Sequence, residues 1–253
     1  MLDNCFLFVV AMLAGALNSV AGGGGLVIFP ALLLAGLPSI SANATTTVAS
    51  LPGYVASLYV YRQEFQTQRR ISLLLGSISL VGGMLGAMLL LSIPNTSFDN
   101  LVPWLLLLAT LLFTFSDAIT TRWKINLLQV SQDSGSSLFK VLFIQFLIAI
   151  YGGFYGGGMS FLILATLGIL GIKNIHKMNA LKIMLMSCID SFAIITFISA
   201  NIVAWPQAML MMMGTVVGGY AGAYYARHLK PNFVKCFVIV VGFAMTGYFF
   251  LFK

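Results

Sequence analysis

Asn18-Ser19-Val20-Ala21-Gly22-Gly23-Gly24-Gly25-Leu26-Val27-Ile28-Phe29-Pro30 interrupts a long apolar stretch, and the reading of that interruption decides the fold. The stretch runs over residues 5–36, too long for one crossing, because a bilayer core of about 30 Å takes about 20 residues of helix. The glycine run at its middle predicts two short helices around an unwound turn. The pattern returns over 138–172, broken by Gly152-Gly153 and Gly156-Gly157-Gly158.

The rest of the chain supports a membrane setting. Of 253 residues 60% are apolar and only 8% charged, 13 Lys and Arg against 6 Asp and Glu. A soluble chain carries about a quarter charged residues, so this one lacks the polar groups to cover itself in water. An all-α integral membrane protein is expected. Six uninterrupted spans read near 43–61, 71–92, 101–121, 179–200, 206–226 and 233–251, which leaves no room for a soluble domain. The net charge of +7 therefore bears on topology, and no nucleic-acid partner is expected. Cys5, Cys188 and Cys236 are isolated in apolar segments, without metal spacing. The amino terminus lacks the positive start of a signal peptide, since Asp3 is the only charge before Arg62, and it reads as mature structure.

The two halves are related. Asn43-Ala44 falls on Asn179-Ala180 at a spacing of 136, as does Gly82-Gly83-x-x-Gly86-Ala87 on Gly218-Gly219-x-x-Gly222-Ala223. A slip to 135 lays Gly22-Gly23 on Gly157-Gly158 and Gly36 on Gly171. The reading is a duplication, with a first repeat over 1–128, a polar linker over 129–137 and a second repeat over 138–253. If each broken region enters and leaves on one side, twelve of the thirteen basic residues share a side, from Arg62, Arg69 and Arg70 to Arg227, Lys230 and Lys235, leaving only Lys253 opposite. The positive-inside rule makes the shared side cytoplasmic. A hairpin plus three spans is an odd number of crossings, so the repeats are inverted and both termini face outward. Inverted repeats with broken helices near the midplane recur in transporters.

Unwound backbone at membrane depth survives only inside protein or beside a wet cavity, so Gly22, Gly23, Gly24 and Gly25 mark a pocket, as do Gly156, Gly157 and Gly158. Helices starting at Leu26 and Met159 would aim free N–H groups and positive dipole ends into it, which favours an anion. Close helix packing is the alternative for these runs, and the favoured reading for Gly82-x-x-x-Gly86 and Gly218-x-x-x-Gly222. On the helix after the first break, Asn43, Thr46, Thr47, Ser50, Tyr54 and Ser57 share one face. The second-half stripe is sparser, with Asn179, Lys182 and Asp190. Asp190 stands about 16 Å beyond Asn179 along its helix, near the bilayer midplane. An acid there is costly unless it faces the bundle interior, which makes it a proton-coupling candidate. Lys182 is expected to snorkel to the cytoplasmic edge as an anchor. His176 and His228 read as solvated loop residues, Asp117 and Arg122 as surface, and Trp104, Trp123 and Trp205 as interfacial. No metal site and no cofactor are expected.

The segment from Ala14 to Pro38 quoted in part above, with Gly36 and the following Ala42-Asn43-Ala44-Thr45, resembles the signature of the TauE/SafE sulfite exporter family, also called the toluenesulfonate uptake permease family. The likeness extends to Tyr151-Gly152-Gly153-Phe154-Tyr155-Gly156-Gly157-Gly158-Met159-Ser160 and Asn179-Ala180, so it spans nearly the whole chain; the second copy departs in lacking the proline found as Pro30. The resemblance implies transport of sulfite, sulfonates or related anions across a bacterial inner membrane, and it adds Asn18 and Ser160 to the substrate-binding candidates.

A membrane potential negative inside drives a monovalent anion outward by about 2.3 kcal/mol per 100 mV, so an exporter of small sulfur-containing anions is the favoured function. The alternatives are an uptake permease coupled to a proton on Asp190 and, less favoured, a cation carrier using unwound carbonyls. An enzyme is disfavoured, since the chain has a single Glu, Glu64, and no HExxH. Expected partners are the anion and the lipid bilayer, and a homo-oligomer is compatible with the sequence.

Overall fold

The computed structural model describes residues 4–20, 22–62, 69–115, 136–169, 175–225 and 231–252. The basic positions Arg122, Lys124, Lys173, Arg227, Lys230 and Lys253 lie outside them, as do Glu64, Asp117, Trp123, Gly171, His228 and residues 129–135 of the expected linker. Among the described residues every regular element is a helix: α1 (Asn4–Val20), α2 (Gly25–Leu34), α3 (Ser39–Val60), α4 (Arg69–Leu91), α5 (Asn95–Thr114), α6 (Ser136–Phe154), α7 (Met159–Ile169), α8 (Ile175–Ser199), α9 (Trp205–Tyr225) and α10 (Pro231–Phe252). The six expected spans correspond to α3, α4, α5, α8, α9 and α10. Each glycine-broken region forms two helices, as the run of glycines predicts. Helix α6 begins at Ser136, inside the expected linker, and α2 begins at Gly25, one residue before Leu26. Ser72–Leu91 and His176–Ser199 are long and apolar enough to cross a membrane by length and composition.

The core is built by exchange between the halves. Helix α1 packs mainly along α9, and α6 along α4; α3 also lies on α9, and α8 on α4. Helices α3 and α8 touch each other at the centre, and α5 touches α10. Small residues permit these approaches. A Cβ on Gly218 would strike the Met12 carbonyl, and one on Gly82 would strike Ala149 and the Phe146 carbonyl. Gly222 meets Ala16 and Ser19, where Gly86 meets Ile150; Gly219 meets the Gly53 carbonyl, where Gly83 meets that of Ile189. The glycine pairs of α4 and α9 are therefore packing devices, because without side chains the two backbones touch and gain dispersion contacts that lipid cannot replace. Hydrogen bonds add to this: Thr215 Oγ1 donates to the Ala49 carbonyl at 2.6 Å, Ser57 Oγ to the Gly219 carbonyl at 3.0 Å, and Gln145 Nε2 to Ser79 Oγ at 2.9 Å.

The ends of the bundle are distinct. Pro38, Pro94 and Asn201 line one cleft, where Ser41 Oγ donates to the Ile202 carbonyl at 2.6 Å and the Ala204 N–H donates to Thr45 Oγ1 at 3.0 Å. Arg62, Tyr220 and Tyr224 line another. Large apolar side chains such as Leu73, Val81, Ile195, Met213 and Leu251 are exposed on the sides of the helices, where a bilayer would cover them.

Candidate functional site

The two breaks are built alike. At the first, the Gly22 N–H donates to the Leu17 carbonyl at 2.7 Å and the Val27 N–H to that of Gly24 at 3.0 Å. At the second, the Gly156 N–H donates to the Tyr151 carbonyl at 3.3 Å and the Phe161 N–H to that of Gly158 at 3.1 Å. Each of these four residues of the second break lies 134 positions after its counterpart, a slip of one or two from the spacing read in the sequence. The turns demand glycine. Gly22 and Gly23 have φ of 91° and 85°, and Gly156 and Gly158 both have 76°, a region in which a Cβ is disfavoured.

Between the breaks lies a narrow, partly enclosed cavity of about 20 Å³. It is lined by Asn18 from α1, by Gly23 and Gly25, and by Thr46, Thr47, Ser50 and Tyr54 from α3. From the second half come Tyr155, Gly156, Gly157, Gly158 and Ser160, with Met186 and Asp190 from α8. Most of the residues singled out in the sequence thus meet at one place. Gly22, Gly24, Asn43 and Asn179 are not in the lining. The polar stripe of α3 is buried throughout, but Asn43 and Ser57 at its ends serve helix contacts instead.

The lining supplies hydrogen-bond donors and one acid. Ser160 is 1% exposed and Tyr155 5%, yet neither the Ser160 Oγ nor the Tyr155 hydroxyl has a hydrogen-bond partner among the described residues. Leaving such groups unmet costs about 1–3 kcal/mol each, so their presence here asks for a ligand or a water. Ser160 is in the first turn of α7, where backbone N–H groups lack partners inside the helix and the dipole is positive. Thr46 and Thr47 donate back to the carbonyls of Ala42 and Asn43 at 2.8 and 3.1 Å, which leaves their oxygens to face the cavity as acceptors only. Asp190 is 3% exposed and lines the same space without a hydrogen bond among the described residues. Tyr155 was not anticipated as a site residue.

Two braces hold the breaks in place, each from the opposite half. Asn43 Nδ2 donates to the Phe154 carbonyl at the end of α6 at 3.0 Å. Lys182 does the corresponding work for α1: its Nζ donates to the Asn18 carbonyl at 3.1 Å and to Asn179 Oδ1 at 3.3 Å. The expectation that Lys182 snorkels to the membrane edge is corrected by this arrangement, since Lys182 is 0% exposed. Helix α8 starts at Ile175, which puts Lys182 about two turns inside it, too deep for the ammonium to reach the surface. Asn18 completes the brace: its Oδ1 accepts the Gly24 N–H at 2.7 Å, and its Nδ2 reaches the Tyr54 hydroxyl at 3.5 Å. Gly24, outside the lining, thereby fixes the side chain that does face the cavity.

Comparison with known proteins places the chain in a family. The family model described as sulfite exporter TauE/SafE matches residues 7–249. A probable membrane transporter protein of Haemophilus influenzae is 32% identical over 245 residues, covering 95% of this chain and 92% of its own length. Probable membrane transporter protein ORF9 of a Sinorhizobium species is 29% identical over 244 residues, covering 95% and 90%. Probable membrane transporter protein YfcA of Escherichia coli is 26% identical over 246 residues, covering 95% and 87%. No solved structure matches.

Proposed function

Because the chain belongs to the sulfite exporter TauE/SafE family, and so to the multi-pass membrane transporters rather than the enzymes, we propose that it exports small sulfur-containing anions, such as sulfite or organosulfonates, across the bacterial inner membrane. The observation that carries the reading is the pair of buried hydroxyls, Ser160 Oγ and Tyr155 OH, left without partners in a cavity beside the α7 N-terminus. An oxyanion accepts from such donors in several directions at once, and charge-assisted hydrogen bonds are roughly twice as strong as neutral ones. The substrate sits between the two breaks, touched by Asn18, Gly23, Gly25, Ser50, Tyr155, Gly156, Gly157, Gly158 and Ser160, with Thr46 and Thr47 turning their hydroxyls from their own helix to donate to it, while Gly22, Gly24, Asn43 and Asn179 hold the frame. Direction follows from the potential, which expels an anion without further coupling.

The halves are inverted repeats in this reading. Support comes from packing partners that pair off when the halves are exchanged, α1 on α9 with α6 on α4 and α3 on α9 with α8 on α4, and from the matched hydrogen bonds of the breaks. Both termini are extracytoplasmic, and the cavity opens alternately to either side as one half rocks against the other.

Asp190 favours a second reading. A carboxylate and an anion repel in one small space, so a proton shared there would let both be accommodated, and uptake could be driven by a pH gradient. Flux of labelled sulfite, thiosulfate and sulfonates in proteoliposomes tests both. Efflux that follows an imposed potential without a pH gradient supports export; accumulation that requires a pH gradient supports the second reading; movement of amines or choline alone overturns the anion assignment.

A further inference from the structure

At the bundle end that carries Arg62, a cleft of about 260 Å³ opens between the ends of α3 and α9, lined by Tyr59, Val60, Arg62, Tyr220 and Tyr224. The Arg62 guanidinium lies over the Tyr59 ring with Cζ 4.4 Å from its centroid, and Nη1 donates to the Tyr59 carbonyl at 3.2 Å. Tyr220 and Tyr224 stack at 9° with centroids 6.4 Å apart. All three tyrosines are exposed. Stacking and the backbone bond hold the guanidinium against Tyr59 and use one of its five N–H donors.

We infer that this cleft binds the headgroup of an anionic phospholipid, with the phosphodiester on Arg62 and the tyrosine hydroxyls and an acyl chain along the α3 and α9 faces. Two observations argue for it. Directly along the helices from the cleft, Val55, Val217 and Met213 are exposed and apolar, a surface for the chain next to a site for the phosphate, as a lipid requires and a soluble phosphoester does not. The second is a contrast within the molecule. At the sequence spacing of 136, Tyr59, Arg62, Tyr220 and Tyr224 fall on Ile195, Ile198, Met84 and Met88, of which Ile195, Ile198 and Met88 are likewise exposed. The same kind of helix surface is thus apolar at one position and aromatic and cationic at the other. Bilayer contact alone accounts for the apolar set; an interfacial rim of basic and aromatic residues is common to membrane proteins, and what this cleft adds is a concave gap between α3 and α9 that gathers one cation and three rings where a phosphate can sit.

The test uses the whole protein in nanodiscs of equal phosphatidylglycerol and phosphatidylcholine, with retained lipid counted by native mass spectrometry after transfer to detergent. Wild type should retain phosphatidylglycerol about five-fold over phosphatidylcholine, the preference that one well-placed basic side chain near an anionic surface provides. Arg62→Gln should bring the ratio to one, and Tyr59→Leu, which removes the ring under the guanidinium, should reduce it. Lys140→Gln removes an exposed charge elsewhere and should leave it unchanged. Equal retention by wild type, an unchanged ratio in Arg62→Gln, or an equal loss in Lys140→Gln would each overturn the site. Displacement of the retained lipid by millimolar glycerol phosphate would assign the cleft to a soluble phosphoester instead.

Discussion

The ammonium of Lys182 on α8 donates to the backbone carbonyl of Asn18 at the end of α1, 3.1 Å away, so the second half holds the first half's break from within. Lys182→Met removes the desolvation cost of a buried ammonium but leaves the Asn18 carbonyl and Asn179 Oδ1 without their donor, two opposing effects of a few kcal/mol. The melting temperature should therefore shift by only a few degrees. Flux should nonetheless fall about tenfold, the equivalent of one hydrogen bond of roughly 1.4 kcal/mol, because Asn18 loses its brace. A variant that transports like wild type would reduce Lys182 to a packing residue; the check is thermal unfolding and proteoliposome flux on one preparation.

Ser160→Ala and Tyr155→Phe should move affinity and stability in opposite directions. Each removes a buried hydroxyl without a partner, which relieves a penalty of about 1 kcal/mol in the empty protein and removes a donor worth about tenfold in anion affinity. Calorimetric binding of sulfite alongside melting curves checks this. Weaker affinity together with lower stability would mean that the hydroxyls serve the fold.

Adjacent glycines should separate frame from cavity. A Cβ at Gly24 meets the Ala14 carbonyl and the Asn18 side chain, whereas at Gly25 nothing lies within 4 Å. Gly24→Val should thus lose flux and folded yield together, while Gly25→Ala should insert and melt normally yet transport more slowly as its methyl narrows the lining. At the second break Gly157→Val should abolish flux, its side chain colliding with the Tyr155 ring. Wild-type flux in Gly25→Ala would show that the first break does not approach the substrate.

Asp190→Asn keeps the shape of the side chain but cannot release a proton. Under potential-driven export the variant should move sulfite within about twofold of wild type, a loss of less than one weak hydrogen bond. Abolished pH-gradient-driven accumulation with intact equilibrium exchange would replace export by proton-coupled uptake. Loss of binding and exchange together would make Asp190 a residue that orients substrate.

Topology has its own check. Cysteines introduced at Ser97, which is exposed near the start of α5, and near the carboxyl terminus should label from outside the cell, and one near position 66 should not. Strong outside labelling at 66 would remove the hairpin reading and the inversion that depends on it.

Much of this was legible in the residues. Glycine runs too long for helix announced both breaks, and the period of the α3 stripe put Thr46, Thr47, Ser50 and Tyr54 on the face that meets the cavity. Three things were not legible. Asn43 shares that face, but its longer amide crosses to the Phe154 carbonyl, a partner no local pattern names. Tyr155 lies at the break itself, where helical periodicity no longer says which way a side chain points. Lys182 was misplaced because hydropathy reads a basic residue near a span's end as an anchor, while the helix start at Ile175 sets its real depth.

Helix α1 finds its main partner in α9 rather than in its own half. During synthesis it enters the membrane long before that partner exists, so Asn18 and Ser19 must wait beside lipid or insertion machinery until the carboxyl-terminal third arrives. Neither half closes its own interior. Under the proposed inversion, a single repeat with this packing would close its interior only by pairing with a second copy inserted in the opposite direction.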